Sequence, residues 1–162
     1  MYIQSYEPKP RLIIFGAGLD AMPIVKIASH TGFSVTVSDW RPALCNDHNF
    51  PEADQLIVGF PHETIPMLDL TSRDSVLLLT HHFQRDKELL AYLMRKELAY
   101  LGVLGPRTRT QRLLEGKAIP SLIHSPVGLA IGAEGPAEIA VSIVAELIKN
   151  QRRKHLEKAV SS

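Results

Sequence analysis

A single cysteine, Cys45, stands among 162 residues, so an internal disulfide and every cysteine-rich metal scaffold are excluded. No C-x-x-C partner lies near it in sequence, and it reads as structural rather than nucleophilic. Charge of one sign is also missing: 18 basic residues against 17 acidic ones leave a formal net charge of +1. Such a surface has no strong field for DNA, RNA or an anionic membrane, and neither nucleic acid nor membrane is expected as a partner. No apolar run approaches the roughly 20 residues of a membrane-spanning helix, because the longest, around Ile139 to Ile148, is broken by Ser142 and Glu146. The opening MYIQSYEPKPR lacks the apolar core of a signal peptide, which with the lone cysteine points to the cytoplasm. Also absent are internal repeats, low-complexity tracts and any Ser/His/Asp-type constellation.

What remains is enough apolar sequence, 45% of residues, to bury one continuous core. The expected organisation is a polar leader at 1–10, one folded domain at 11–150, and a polar C-terminal tail at 151–162 that frays or prolongs the last helix. Leu12-Ile13-Ile14-Phe15 is continuously apolar, as a strand buried on both faces would be, and stops at Gly16. Residues Leu19 to His30 carry apolar side chains at helical spacing and end in Thr31-Gly32. The β-branched run 33–38 completes a βαβ unit. Further strands are expected at Gln55 to Val58, Ser75 to Thr80 and Tyr100 to Leu104, with helices at about Asp86 to Glu97 and Thr108 to Leu114. The alternation implies α/β architecture: a doubly wound, mostly parallel sheet of at least five strands in a Rossmann-like three-layer sandwich.

The turn Gly16-Ala17-Gly18-Leu19-Asp20-Ala21 matches G-x-G-x-x-G/A, with a small residue in third place for close helix–strand packing. It follows a strand and opens a helix, where free amides and the positive helix end converge on a pyrophosphate. Asp39 ends the second strand 21 positions after Gly18, where a carboxylate would accept from an adenosine ribose; this favours NAD or a similar dinucleotide over NADP. Arg41 is a candidate to stack on adenine or pair with a phosphate. The bland alternatives are that Gly16 and Gly18 serve only a tight turn, that Asp39 caps a loop, and that Arg41 is a surface residue.

After the strand SVLLLT comes Thr80-His81-His82-Phe83-Gln84-Arg85-Asp86, at the carboxyl edge that lines the ligand crevice of open parallel sheets. Thr80 and His81 are therefore site candidates. No catalytic set can be named; the best candidate acid or base is His81, with Asp86, which otherwise caps the helix it begins. Adjacent histidines point different ways, so no metal site is expected. His30, His48, His62, His124 and His155 carry no ligand spacing and read as surface or capping residues.

A long loop, Gly116 to Gly132, precedes a last helix from Pro136, whose Ile139, Ala140, Ile143, Val144, Leu147 and Ile148 form an apolar stripe ending near Asn150. The segment from Ser125 to Ile148 is expected either to make an interface, with a second copy of the chain or with a partner protein, or to pack its stripe on the domain's own sheet, as the last helix of a Rossmann unit commonly does.

Four blocks together resemble the C-terminal Rossmann domain of the XdhC/CoxI family of xanthine dehydrogenase accessory proteins: IIFGAGLDAMP, VSDWRP, LLTHHFQRD with YLGVLGPRTR, and SPVGLAIGAEGPAEIAVSIVAEL. The chain departs from the family's commoner pattern at Leu19, Ala130 and Gly135, where histidine, an acid and threonine are more usual. The resemblance implies an accessory factor in molybdenum cofactor maturation or insertion, working with a molybdenum hydroxylase. The pocket would hold a nucleotide-like ligand, which the molybdopterin cofactor itself becomes when it carries a pyrophosphate-linked nucleotide. Two other readings are an NAD-dependent oxidoreductase using His81 and a nucleotide-sensing regulatory domain.

Overall fold

A computed structural model describes residues 8–161; leader residues 1–7 and tail residue Ser162 lie outside the described residues. The elements run β1 (Arg11–Phe15), α1 (Ala21–His30), β2 (Ser34–Asp39), β3 (Gln55–Val58), α2 (Pro61–Leu68), β4 (Ser75–Leu78), α3 (Phe83–Leu93), β5 (Tyr100–Val103), α4 (Arg107–Leu113), β6 (Ile123–His124) and α5 (Gly135–Ser161). Six strands form one sheet in the order β3-β2-β1-β4-β5-β6, and every pairing is parallel.

The continuous apolar runs of β1 and β4 are explained by burial on both faces. Leu12, Ile14, Val35, Val37, Leu77 and Tyr100 pack with α1 and α5, while Ile13, Phe15, Val76, Leu78, Leu101 and Val103 pack with α2, α3 and α4. Alternate residues of each strand thus enter separate cores, giving the three layers. Helix α1 stops where Gly32 turns left-handed at φ +97°.

Several expectations need correction. Helix α3 begins at Phe83 rather than Asp86, because His82 is its N-cap and its Nδ1 accepts from the Arg85 amide at 3.3 Å. Helix α2 was not expected: Pro61 sits in its first position and Pro66 near its end, so eight residues with two prolines carry no readable helical period. Inside the expected loop 116–132 lies the two-residue strand β6, recognisable only through its pairing with β5. Helix α5 continues through the polar stretch 151–161, one of the two outcomes expected of the tail.

The apolar stripe of α5 is not a free interface. Ala140, Ile143, Val144 and Leu147 are buried in the core shared with α1, and Ile139 and Ile148 pack against that core. The preceding loop is tied to the same helix: the Leu129 amide donates to the Ser142 carbonyl at 3.1 Å and the Gly128 amide to Glu146 Oε1 at 3.2 Å. Gly128 has φ +101°, and a Cβ there would lie 2.5 Å from Ser142 Oγ. Much of the block 125–148 therefore encodes internal packing of a loop along its own helix.

Candidate functional site

Between β1 and β4 the sheet reverses its winding. The chain leaves β1 toward α1 on one face and β4 toward α3 on the other, so the carboxyl ends of these strands border a crevice. Gly16 opens it at φ +121°, so close to the end of β4 that a Cβ would stand 2.4 Å from the Leu79 carbonyl oxygen. Ala21, in the motif's third place, is fully buried.

The backbone of the turn is only partly satisfied. Gly16 donates to the Ser38 carbonyl at 2.9 Å, Ala17 to Asp39 Oδ2 at 2.8 Å, and Ala21 to the Gly18 carbonyl at 3.1 Å. The amides of Gly18, Leu19 and Asp20 have no hydrogen-bond partner among the described residues. Above Gly18 the space is open: a Cβ there would meet only Asp20 Oδ1, at 3.2 Å. Unpaired amides at the N-terminus of a ten-residue helix beneath open space suit the charge and size of a pyrophosphate.

Asp20 and His81 face each other across this turn. His81 Nε2 lies 2.5 Å from Asp20 Oδ2, a contact in which the ring nitrogen donates to the carboxylate and Nδ1 is left for another partner. His81 adopts φ +59°, a left-handed conformation that costs a non-glycine residue about 1–3 kcal/mol, and it remains largely exposed. The second Asp20 oxygen, Oδ1, is buried without a partner among the described residues.

Asp86, a candidate beside His81 and otherwise a helix cap, does not cap α3, whose N-cap is His82. It is buried inside the helix, where Oδ1 accepts from Thr80 Oγ1 at 2.5 Å and Oδ2 from Arg109 Nη2 at 2.8 Å. The charge of a buried carboxylate is thereby satisfied by a hydroxyl and a guanidinium rather than by water. This pairing joins the ends of β4 and α4, and beside it opens a cleft of about 220 Å³ lined by His81, Asp86, Leu104, Gly105, Pro106 and Arg109.

On the β2 side, Asp39 is enclosed. Oδ1 accepts from the Arg41 amide and Nε, both at 2.9 Å, and Oδ2 from Arg41 Nη2 and the Ala17 amide, both at 2.8 Å. Burial alone would raise the Asp39 carboxyl, but the Arg41 side chain and these amides hold it below the usual carboxylate value. Next to it, Trp40 carries the Arg41 guanidinium 4.3 Å and the Arg85 guanidinium 5.5 Å from its ring centroid, with His82 edge-on at 5.6 Å. Cys45 is buried, its thiol pushed up first by burial and then by the Asp39 charge.

The fold thus gathers Gly16, Ala17, Gly18, Asp39, Arg41, Thr80 and His81 at one edge of the sheet. Sequence reasoning passed over Asp20, Trp40, Arg85 and Arg109. Asp20 was legible as a variable place within the glycine motif, and Arg109 as a residue just beyond the carboxyl end of β5; their partners were not. His124, read as a surface or capping residue, is instead half-buried. It stacks on Tyr100 at 4.3 Å, with Nδ1 3.4 Å from Glu146 Oε1, an oxygen that also accepts from the Tyr100 hydroxyl.

Similarity to known proteins covers almost the whole chain. A Bacillus subtilis protein named as a probable xanthine dehydrogenase subunit is 52% identical over 153 residues, 94% of this chain and 46% of that protein. The Escherichia coli molybdenum cofactor insertion chaperone PaoD is 26% identical over 150 residues, 88% of this chain and 41% of its own length. Among solved structures, a xanthine dehydrogenase from Bacillus halodurans superposes with a TM-score of 0.88 at 52% identity, covering 91% of this chain and 44% of that one. The chain therefore spans less than half the length of these relatives. Residues 12–147 match the family model described as the XdhC Rossmann domain, and the chain belongs to that family.

Proposed function

We propose that this chain is the dinucleotide-binding part of an accessory factor for molybdenum hydroxylases of the xanthine dehydrogenase type. In this reading residues 11–150 form the binding unit, residues 151–162 are its polar tail, and the protein works in the cytoplasm. The observation that carries the ligand half is the set of unpaired amides at Gly18, Leu19 and Asp20, at the start of α1 and at the point where the sheet reverses. Those amides would hold the pyrophosphate of NAD, a similar dinucleotide, or a nucleotide-bearing molybdopterin cofactor. The 220 Å³ cleft beside His81 and Arg109 would receive the half of the ligand farther from β2. The names of the Bacillus subtilis and Escherichia coli relatives support the accessory half of the reading.

Mass spectrometry of the small molecule released from natively purified protein tests the ligand, with a pyrophosphate-linked nucleotide expected. Co-purification with a molybdenum hydroxylase tests the partner. Recovery of neither would refute the proposal. The pairing of His81 with Asp20 favours one second reading, an NAD-dependent oxidoreductase in which Asp20 orients the imidazole. Substrate-dependent change in nicotinamide absorbance, lost in His81→Ala, would select it.

A further inference from the structure

An acid at the end of the second strand ordinarily reads the ribose hydroxyls of an adenosine. Here that carboxylate is already spent. Both oxygens of Asp39 accept two hydrogen bonds from within the chain, and its side chain has no exposed surface. The cleft between Asp39, Trp40 and Thr80 holds only about 10 Å³, room for about one water. A ribose laid over the glycine turn would meet Arg41 instead, whose side chain is 38% exposed.

The chemistry of that surface is opposite in sign to the one the sequence suggests. Arg41 commits its Nε and one Nη2 hydrogen to Asp39, which leaves three of the five guanidinium N–H donors to face outward. A guanidinium has no acceptor, so its outward edge favours an anion over a hydroxyl pair. The Asp39 clamp fixes the guanidinium in place, so little rotamer freedom is lost when it binds. A second cation stands by: Arg85 shares the Trp40 ring with Arg41, its Nε is buried without a partner among the described residues, and its Nη1 reaches Glu88 only at 3.4 Å.

We propose that Arg41, supported by Arg85, reads a phosphate on the adenosine ribose, so that the crevice takes a 2′-phosphorylated dinucleotide of the NADP class in preference to NAD. This rests on the reading that the crevice binds a dinucleotide, and it names which kind.

The protein's single tryptophan lies at the site, so Trp40 fluorescence, backed by calorimetry, can follow titration with NADP and with NAD. The native protein should bind NADP about tenfold or more tightly than NAD, the scale of a charge-assisted phosphate contact. Arg41→Met should bring the two within about threefold of each other. Because that change also opens the Asp39 clamp, Arg85→Met, which leaves the clamp intact, serves as the second variant and should narrow the preference. NAD bound as tightly as NADP or more so would overturn the proposal while leaving the dinucleotide reading standing. An NADP preference unchanged in both variants would overturn the roles of Arg41 and Arg85. Binding of neither coenzyme would overturn the proposal together with the reading it rests on.

Discussion

Replacing Gly16 by alanine should destabilise the protein by about 2–6 kcal/mol, whereas the same change at Gly18 should cost under about 1 kcal/mol. The two glycines share one turn, and their surroundings set the difference. At φ +121° an alanine at position 16 bears about 1–3 kcal/mol of backbone strain. Its Cβ would also lie 2.4 Å from the Leu79 carbonyl oxygen and 2.8 Å from the Thr80 nitrogen. Those atoms are main chain, and the Leu79 amide is held by the Phe15 carbonyl at 2.7 Å, so relief requires β1 and β4 to part. Overpacking of this kind adds about 1–3 kcal/mol, and the sum is a large share of a typical total stability of about 5–15 kcal/mol. Gly18 is not among the glycines with positive φ, and its Cβ would touch only the end of the Asp20 side chain. Urea unfolding followed by Trp40 fluorescence reads both midpoints, with an unchanged slope expected. A Gly16→Ala midpoint equal to that of the unsubstituted protein, or an equal loss in Gly18→Ala, would refute the reasoning.

Asp39 should support the fold against acid. Its lowered carboxyl value contributes stability that is present above the unfolded value near about pH 3.9 and lost as the pH falls through the folded one. Asp39→Asn should reduce stability at neutral pH and flatten the acid limb; a profile parallel to that of the native protein would contradict this. Burial pushes the His124 imidazole down, against an upward pull from Glu146 and with a smaller downward push from Arg153. Its contribution is thus complete above about pH 6.5 and fades as the pH falls through the lower folded value. Thermal midpoints measured between pH 7 and 5 should fall less steeply in His124→Gln, and identical slopes would remove His124 as the cause. Cys45, buried with its thiol pushed up, should react with a thiol reagent in denaturant and hardly at all in the native state; fast native labelling would show that its cover opens readily.

Local pattern was most legible where a residue's neighbours in sequence are also its neighbours in space. The run 12–15, the glycine turn and the second strand form one βαβ unit, and within it the expected elements lie within two residues of the observed ones. Helix α2 and strand β6 were missed because neither owes its form to local sequence. Two prolines mask the periodicity of α2, and two residues are a strand only beside β5. The apolar stripe of α5 was legible as a stripe, but whether it faced the core or a partner depended on α1, which lies more than 100 positions earlier in the chain.

The sequence by itself determined the class of fold and the edge at which ligand chemistry gathers, because alternating apolar runs and a glycine turn are properties of contiguous residues. Only the tertiary structure decided what the polar groups at that edge do. Asp39 is covered by Arg41, His81 meets Asp20 from 61 positions away, and Asp86 is neutralised by Arg109 from 23 positions away. Hydrogen bonds and charges act over a few ångströms through space, and the sheet that brings these side chains within that range is assembled from strands distant in sequence.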